Sequence, residues 1–149
     1  MLRVGDPAPA FVAESTKGRV DLAEHLGRRP AVLIFYPMDE TPTCTRQLCA
    51  VRDDRAAYEA AGAVVFGVNP AGLEAHRRFA ERQRYDFPLI ADEGGRIRKQ
   101  YGVGRILGLF AQERVVFVVG ADGRVAWVRK GNPPTSEILA AIGGAPGAG

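Results

Sequence analysis

The chain has 149 residues, 46% hydrophobic and 25% charged, with 20 Lys+Arg against 17 Asp+Glu, which is the profile of a globular protein rather than a disordered or fibrous one. At this length roughly two-thirds of the unfolded chain's surface can be buried, so a core forms without disulfide or metal staples and the two cysteines are left for chemistry. The longest apolar run, Ala31 to Tyr36, is far below the ~20 residues of a membrane-spanning helix, and the net charge of +3 is scattered, which argues against membrane and nucleic-acid partners.

In chain order, Met1 to Pro7 has no apolar stretch of signal-peptide length, so a reducing, cytoplasmic setting is expected. Phe11-Val12-Ala13 and Gly18-Arg19-Val20 suggest a small leading hairpin, and Asp21 to Leu26 a short helix. Ala31 to Tyr36, Ala63 to Val68 and Val115 to Val119 are continuous apolar runs of strand length, suited to central strands covered on both faces. Helical patterns from about Thr43 to Ala61 and from Ala71 to about Arg84 alternate with them, which implies parallel pairing through right-handed crossovers. The run from His76 to Arg84 reads as a solvated face, with Glu74–Arg78 and Arg77–Glu81 at i,i+4 spacing.

A short strand is expected at Phe87 to Ala91, a brief helix at Gly94 to Tyr101, and a glycine-broken loop from Gly102 to Gln112. Val115 to Val119, the turn Gly120-Ala121-Asp122-Gly123, and Arg124 to Arg129 read as a hairpin that makes the sheet mixed. Pro133-Pro134 ends that strand, Thr135 is a candidate cap for a last helix to about Ile142, and residues 143–149 form a Gly/Ala/Pro tail. The expectation is a single α/β domain over residues 1–142.

The chemically suggestive stretch is FYPMDETPTCTRQLC, Phe35 to Cys49, where a buried strand gives way to a helix, the place where α/β sheets put their sites. Cys44 falls in the first helical turn, where unpaired N–H groups and the positive dipole end favour an anion and hence a reactive thiolate. Cys49 follows five residues later. In a regular helix that spacing separates the Cα atoms by ~8.6 Å, beyond the ~7 Å limit for a disulfide. A Cys44–Cys49 bond therefore requires the helix to unwind, which makes it a poor staple and a plausible transient intermediate. If Cys44 became a sulfenic acid, Cys49 could resolve it.

On these residues a resemblance can be stated. Pro37-x3-Thr41-x2-Cys44 resembles the signature of the peroxiredoxins, and Cys44-x4-Cys49 followed by Arg52-Asp53 is similar to the bacterioferritin-comigratory, or peroxiredoxin Q, subfamily. Gly5-Asp6-x-Ala8-Pro9-x-Phe11, Tyr101-Gly102-Val103, Arg114-x2-Phe117-Val118 and Asp122-Gly123 extend it over nearly the whole chain. The resemblance implies a thioredoxin-like fold and an antioxidant thiol peroxidase acting on hydrogen peroxide and organic hydroperoxides. By it, Cys44 is the peroxidatic nucleophile and Cys49 the resolving thiol. Thr41 holds thiolate and peroxide, Pro37 shapes and shields the pocket, and Arg114 stabilises the thiolate and the polarised O–O bond, with Arg105 as the rival position. It further implies reduction by thioredoxin or a similar dithiol, no metal, flavin or haem, and a lean towards a monomer.

The chain departs from the subfamily at Thr43 (commonly Gly), Asn69 (commonly Ser) and Val115 (commonly Ser or Thr). Leu107, Leu109 and Phe110 suggest an apolar rim favouring organic hydroperoxides, although such residues also simply pack. For Gln47 and Arg52 a site role and an ordinary surface role stand equally open, and Tyr36 reads as core. Three other readings compete with this one. A zinc site is disfavoured because His25 and His76 lie far from the cysteines in sequence. A thiol-disulfide oxidoreductase of the same fold lacks its C-x-x-C hallmark. A non-catalytic binding protein predicts peroxide reactivity no faster than that of free cysteine.

Overall fold

The computed structural model describes residues 1–106 and 111–144. The suggested apolar rim of Leu107, Leu109 and Phe110, and the tail beyond Gly144, lie outside the described residues. The leading hairpin is β1 (Val12–Ser15) and β2 (Gly18–Asp21), followed by a 3-10 turn at Leu22–Glu24 and not a full helix. Then come β3 (Ala31–Phe35), α1 (Pro42–Asp53), α2 (Arg55–Ala60), β4 (Val64–Asn69), α3 (Leu73–Gln83), β5 (Leu89–Ala91), α4 (Arg96–Tyr101), β6 (Val115–Val119), β7 (Val125–Lys130) and α5 (Thr135–Gly143).

One seven-stranded sheet runs in the order β2-β1-β5-β4-β3-β6-β7. β3 pairs parallel with β4, β4 parallel with β5, and β6 antiparallel with both β3 and β7, so the expected mixed sheet is present. The continuous apolar runs have a physical reason in two separate layers. Ala31, Leu33, Phe35, Val115, Phe117 and Val119 pack on one face with Phe11, Ile97 and Tyr101. Val32, Ile34, Tyr36, Val116 and Val118 pack on the other with Cys44, Leu48, Phe79 and Ile138. With both faces covered, every residue of β3 and β6 is buried.

Three expectations are corrected. The helix expected over 43–61 is two helices, broken at Asp54, whose φ of −97° and ψ of 15° leave the helical region. Asp53 and Asp54 bring two acids to a helix C-terminus, where the dipole disfavours them, and the Asp54 carboxylate instead accepts from the Thr135 hydroxyl. Thr135 is consequently not a cap: Pro134 holds that position and Thr135 is the first residue of α5. The run from His76 to Arg84 is not simply a solvated face, because His76, Phe79 and Ala80 are buried. Among the described residues neither expected i,i+4 pair closes, and Arg82 pairs instead with Glu40.

The register sets up the site. Phe35 is level with Val68 of β4 and with Val115 of β6, so the next position of each strand end brings Tyr36, Asn69 and Arg114 together above the sheet. Val116 faces the α1 layer, and period-two alternation puts Arg114 on that same side.

Candidate active site

Thr41, in extended conformation, precedes α1, and Pro42 opens the helix where a missing N–H costs nothing. Cys44 follows in the first turn and is fully buried. Buried positions 44, 47, 48 and 51 of α1 form the stripe that packs on the sheet. Arg114, arriving from the start of β6, donates from Nη2 to Cys44 Sγ at 3.2 Å and from Nη1 to Gln47 Oε1 at 2.7 Å. Gln47, 3% exposed, thus holds the guanidinium in line with the sulfur. The fixed cation and the N-terminal turn of α1 converge on one atom, an arrangement suited to negative charge on sulfur and on an oxygen bonded to it. Arg105, the rival, is exposed and bridges to Gln112.

Thr41 is adjacent, but its hydroxyl donates to the Met38 carbonyl at 2.9 Å, so the reach to sulfur implied by the resemblance is not made in this state. Thr43 Oγ1 accepts from Arg46 at 3.1 Å. Pro37 is half-buried beside the motif, and its carbonyl accepts from Asn69 Nδ2 at 3.0 Å. Cys49 is half-buried and free, as is Cys44, and both lie within the regular helix Pro42–Asp53. A cleft of about 430 Å³ beside Arg19, His25, Arg55 and Tyr58 opens at the opposite end of β4, and neither cysteine lines it.

Comparison with known proteins bears on this geometry. Residues 4–128 match the family described as AhpC/TSA. The chain belongs to the AhpC/TSA family. It is 38% identical over 125 residues to a chloroplastic peroxiredoxin Q of Sedum lineare, covering 83% of this chain and 67% of that protein. To the peroxiredoxin Q of Populus jackii it is 39% identical over 121 residues, covering 81% and 57%. Against the crystal structure of the peroxidoxin BcpB of Mycobacterium tuberculosis it superposes with a TM-score of 0.87 at 30% identity, over 95% of this chain and 97% of that one. Its mixed sheet flanked by helices is the thioredoxin-like architecture of the peroxiredoxins.

This AhpC/TSA chain also carries a polar frame behind Cys44 that reading the sequence missed. His76 is fully buried, with Nδ1 2.6 Å from Asp39 Oδ2 and Nε2 3.1 Å from the Asn69 carbonyl. Tyr36 OH donates to the other oxygen of Asp39 at 2.7 Å. Both ring nitrogens thus face oxygen atoms. Burial first, and then the Asp39 charge, push the Tyr36 hydroxyl well above its ordinary value, so it stays a donor. Asn69 Nδ2 donates to the Tyr36 carbonyl at 2.8 Å, and Gln112 Nε2 ties the Tyr36 and Val68 carbonyls at 2.9 and 2.7 Å. The residues after β3 are thereby fixed from three sides.

Helical phase was the available signal for His76: it lies three residues before Phe79, on the same face as a residue whose burial was easy to see. For Asp39, Gln112 and the partnership of Gln47 with Arg114 the sequence offers none. Tyr36, read as core, is core with a hydroxyl in use.

Proposed function

We propose that this protein is a thiol peroxidase that reduces hydrogen peroxide and organic hydroperoxides through a two-cysteine cycle. The observation that carries the reading is the Arg114 guanidinium donating to Cys44 Sγ in the first turn of α1. In the first step the Cys44 thiolate attacks the terminal peroxide oxygen. The S–O bond forms, the O–O bond breaks, and the departing alkoxide or hydroxide takes up a proton, leaving alcohol or water and a sulfenic acid. Arg114 stabilises the sulfur before attack and the charge on oxygen during it, held in place by Gln47. Pro37 shields the pocket, and Thr41, once its hydroxyl leaves Met38, holds the reacting oxygen.

In the second step Cys49 attacks the sulfenic sulfur: S–S forms, S–O breaks, and the leaving oxygen departs as water with the proton from Cys49. Because helical geometry keeps the two residues too far apart, the first turns of α1 unwind for this step. Thioredoxin or a similar dithiol then reduces the disulfide and the helix re-forms. The similarity to peroxiredoxin Q proteins supports both the cycle and the reductant class.

The test is time-resolved intact mass of the fully reduced protein after one equivalent of hydrogen peroxide, with the cross-link located by peptide mapping. Rapid loss of two hydrogens with a Cys44–Cys49 bridge is expected. Slow oxidation, alike at either cysteine, would overturn the reading.

A further inference from the structure

The niche around Cys49 contains a hydroxyl that the cycle above leaves unused. α3 ends where Arg84 takes a left-handed conformation, φ 58°, and this reversal sends Tyr85 back beneath α1. Tyr85 is 3% exposed, and its ring packs against Phe79 and Phe87, each with a centroid at 5.2 Å. Its hydroxyl donates to the Thr45 carbonyl at 3.2 Å and lies 3.5 Å from Cys49 Sγ. Gln83 Oε1 stands 3.7 Å from the same sulfur.

Counting protons makes this arrangement a choice. A phenol has one hydrogen to give. While Cys49 is a thiol, that hydrogen is on the Thr45 carbonyl, and the S–H has acceptors in Gln83 Oε1 or the phenol oxygen. When Cys49 loses its proton, Gln83 Oε1 has nothing to offer the sulfur, and among the described residues the Tyr85 hydroxyl at 3.5 Å is the side-chain donor placed against it. Donating to sulfur means leaving Thr45. The Thr45 carbonyl lies between the two cysteines, and its helical partner is the amide of Cys49 itself.

We propose that Tyr85 is a positioning residue for the resolving step, its hydroxyl passing from the Thr45 carbonyl to the Cys49 thiolate and so coupling ionisation of Cys49 to release of the α1 turn that must unwind. The inference rests on the two-cysteine cycle. Burial, first of all, pushes the Tyr85 hydroxyl far above its ordinary value, so the hydroxyl remains a donor while the thiol ionises. The charged groups reaching the niche are Arg52 of α1, whose guanidinium braces the Gln83 carbonyl at 2.6 Å and whose charge favours a nearby thiolate, and Asp39 of the loop after β3, whose charge acts on Tyr85. No atom is transferred to or from Tyr85 in the net reaction. Closure remains S–S formation, S–O cleavage and release of water.

The test is Tyr85→Phe, which keeps the ring and its packing. Sulfenic acid formation is followed by rapid-quench trapping with a carbon acid, and closure by quenched mass, from pH 5 to 9. Tyr85→Phe is expected to leave sulfenic acid formation within about twofold and to move the pH midpoint of closure up by about one unit, slowing closure about tenfold below the midpoint. An unchanged closure profile, or equal slowing of both steps at every pH, overturns the role of Tyr85 while the cycle stands. A parent protein that forms no Cys44–Cys49 bridge overturns both.

Discussion

Replacing His76 by Leu keeps a comparable volume and removes both ring nitrogens from a site with no exposure. Among the described residues Asp39, 10% exposed at its side chain, is left with the Tyr36 hydroxyl at 2.7 Å as its side-chain partner. The Asn69 carbonyl fares better, because it still accepts from the Asp92 amide at 2.9 Å. Breaking one side of a buried pair costs about 3–5 kcal/mol, and because Asp39 sits at a loop and can turn towards water, the lower end, about 3 kcal/mol, is expected. For a chain of this size that is a fall in Tm of roughly 9 °C. The assay is urea unfolding of the parent, His76→Leu, Asp39→Asn and the double variant, extrapolated linearly to water. A coupling energy of about 1.5 kcal/mol or more between the two sites is expected, since the double variant no longer strands a charge. Loss below about 1 kcal/mol for His76→Leu, or additive single effects, would refute the claim that this pair holds the loop ahead of Cys44.

Arg114→Met removes a charge-assisted bond of about 1.5–3 kcal/mol and should slow sulfenic acid formation by roughly 10- to 100-fold in single-turnover mass measurements; a change below threefold would dissociate Arg114 from the chemistry. Gly67→Ala puts a Cβ 2.7 Å from Leu89 Cδ2 and 3.2 Å from Tyr36 Cε1, so an overpacking loss of about 1–3 kcal/mol is expected in the same urea assay. Burial, followed by the Arg29 charge, lowers the His25 pKa below its usual 6.5, so between that value and the lower folded one the unfolded chain binds more protons. The His25 contribution is therefore whole above pH ~6.5 and is lost as pH falls. His25→Phe, which retains the packing on Phe66, should show a smaller drop in Tm than the parent between pH 7.5 and pH 5.

The central strands and the placement of Cys44 were legible because they obey local rules: unbroken apolar runs, a proline-opened helix, and a motif confined to eight residues from Pro37 to Cys44. Arg114 was reached through the resemblance, on the pattern Arg114-x2-Phe117-Val118, with Arg105 left as its rival. What the sequence hid depends on longer-range geometry. The meeting of Asp39 with His76 spans 37 positions and that of Gln112 with Tyr36 spans 76, and neither has a periodicity to announce it. The break at Asp54 was missed for a related reason: two poor helix formers inside a long helical pattern do not by themselves end it, and the hydroxyl that Asp54 meets is 81 positions away.

The two-layered packing of the sheet has a mechanical consequence. Phe11, Phe35, Tyr101 and Phe117 interlock edge-on or tilted, with ring centroids 5.3–6.3 Å apart, in the layer that α1 does not touch. A helix that melts and re-forms at every turnover would dismantle half the core of a protein with only one layer. Under the proposed cycle the unwinding of α1 would fall on one side of β3, while the opposite layer, with Phe11, Phe35, Tyr101 and Phe117, would stay packed and hold the strand ends in register. A template that stays folded in this way would return α1 to the same starting geometry after each oxidation.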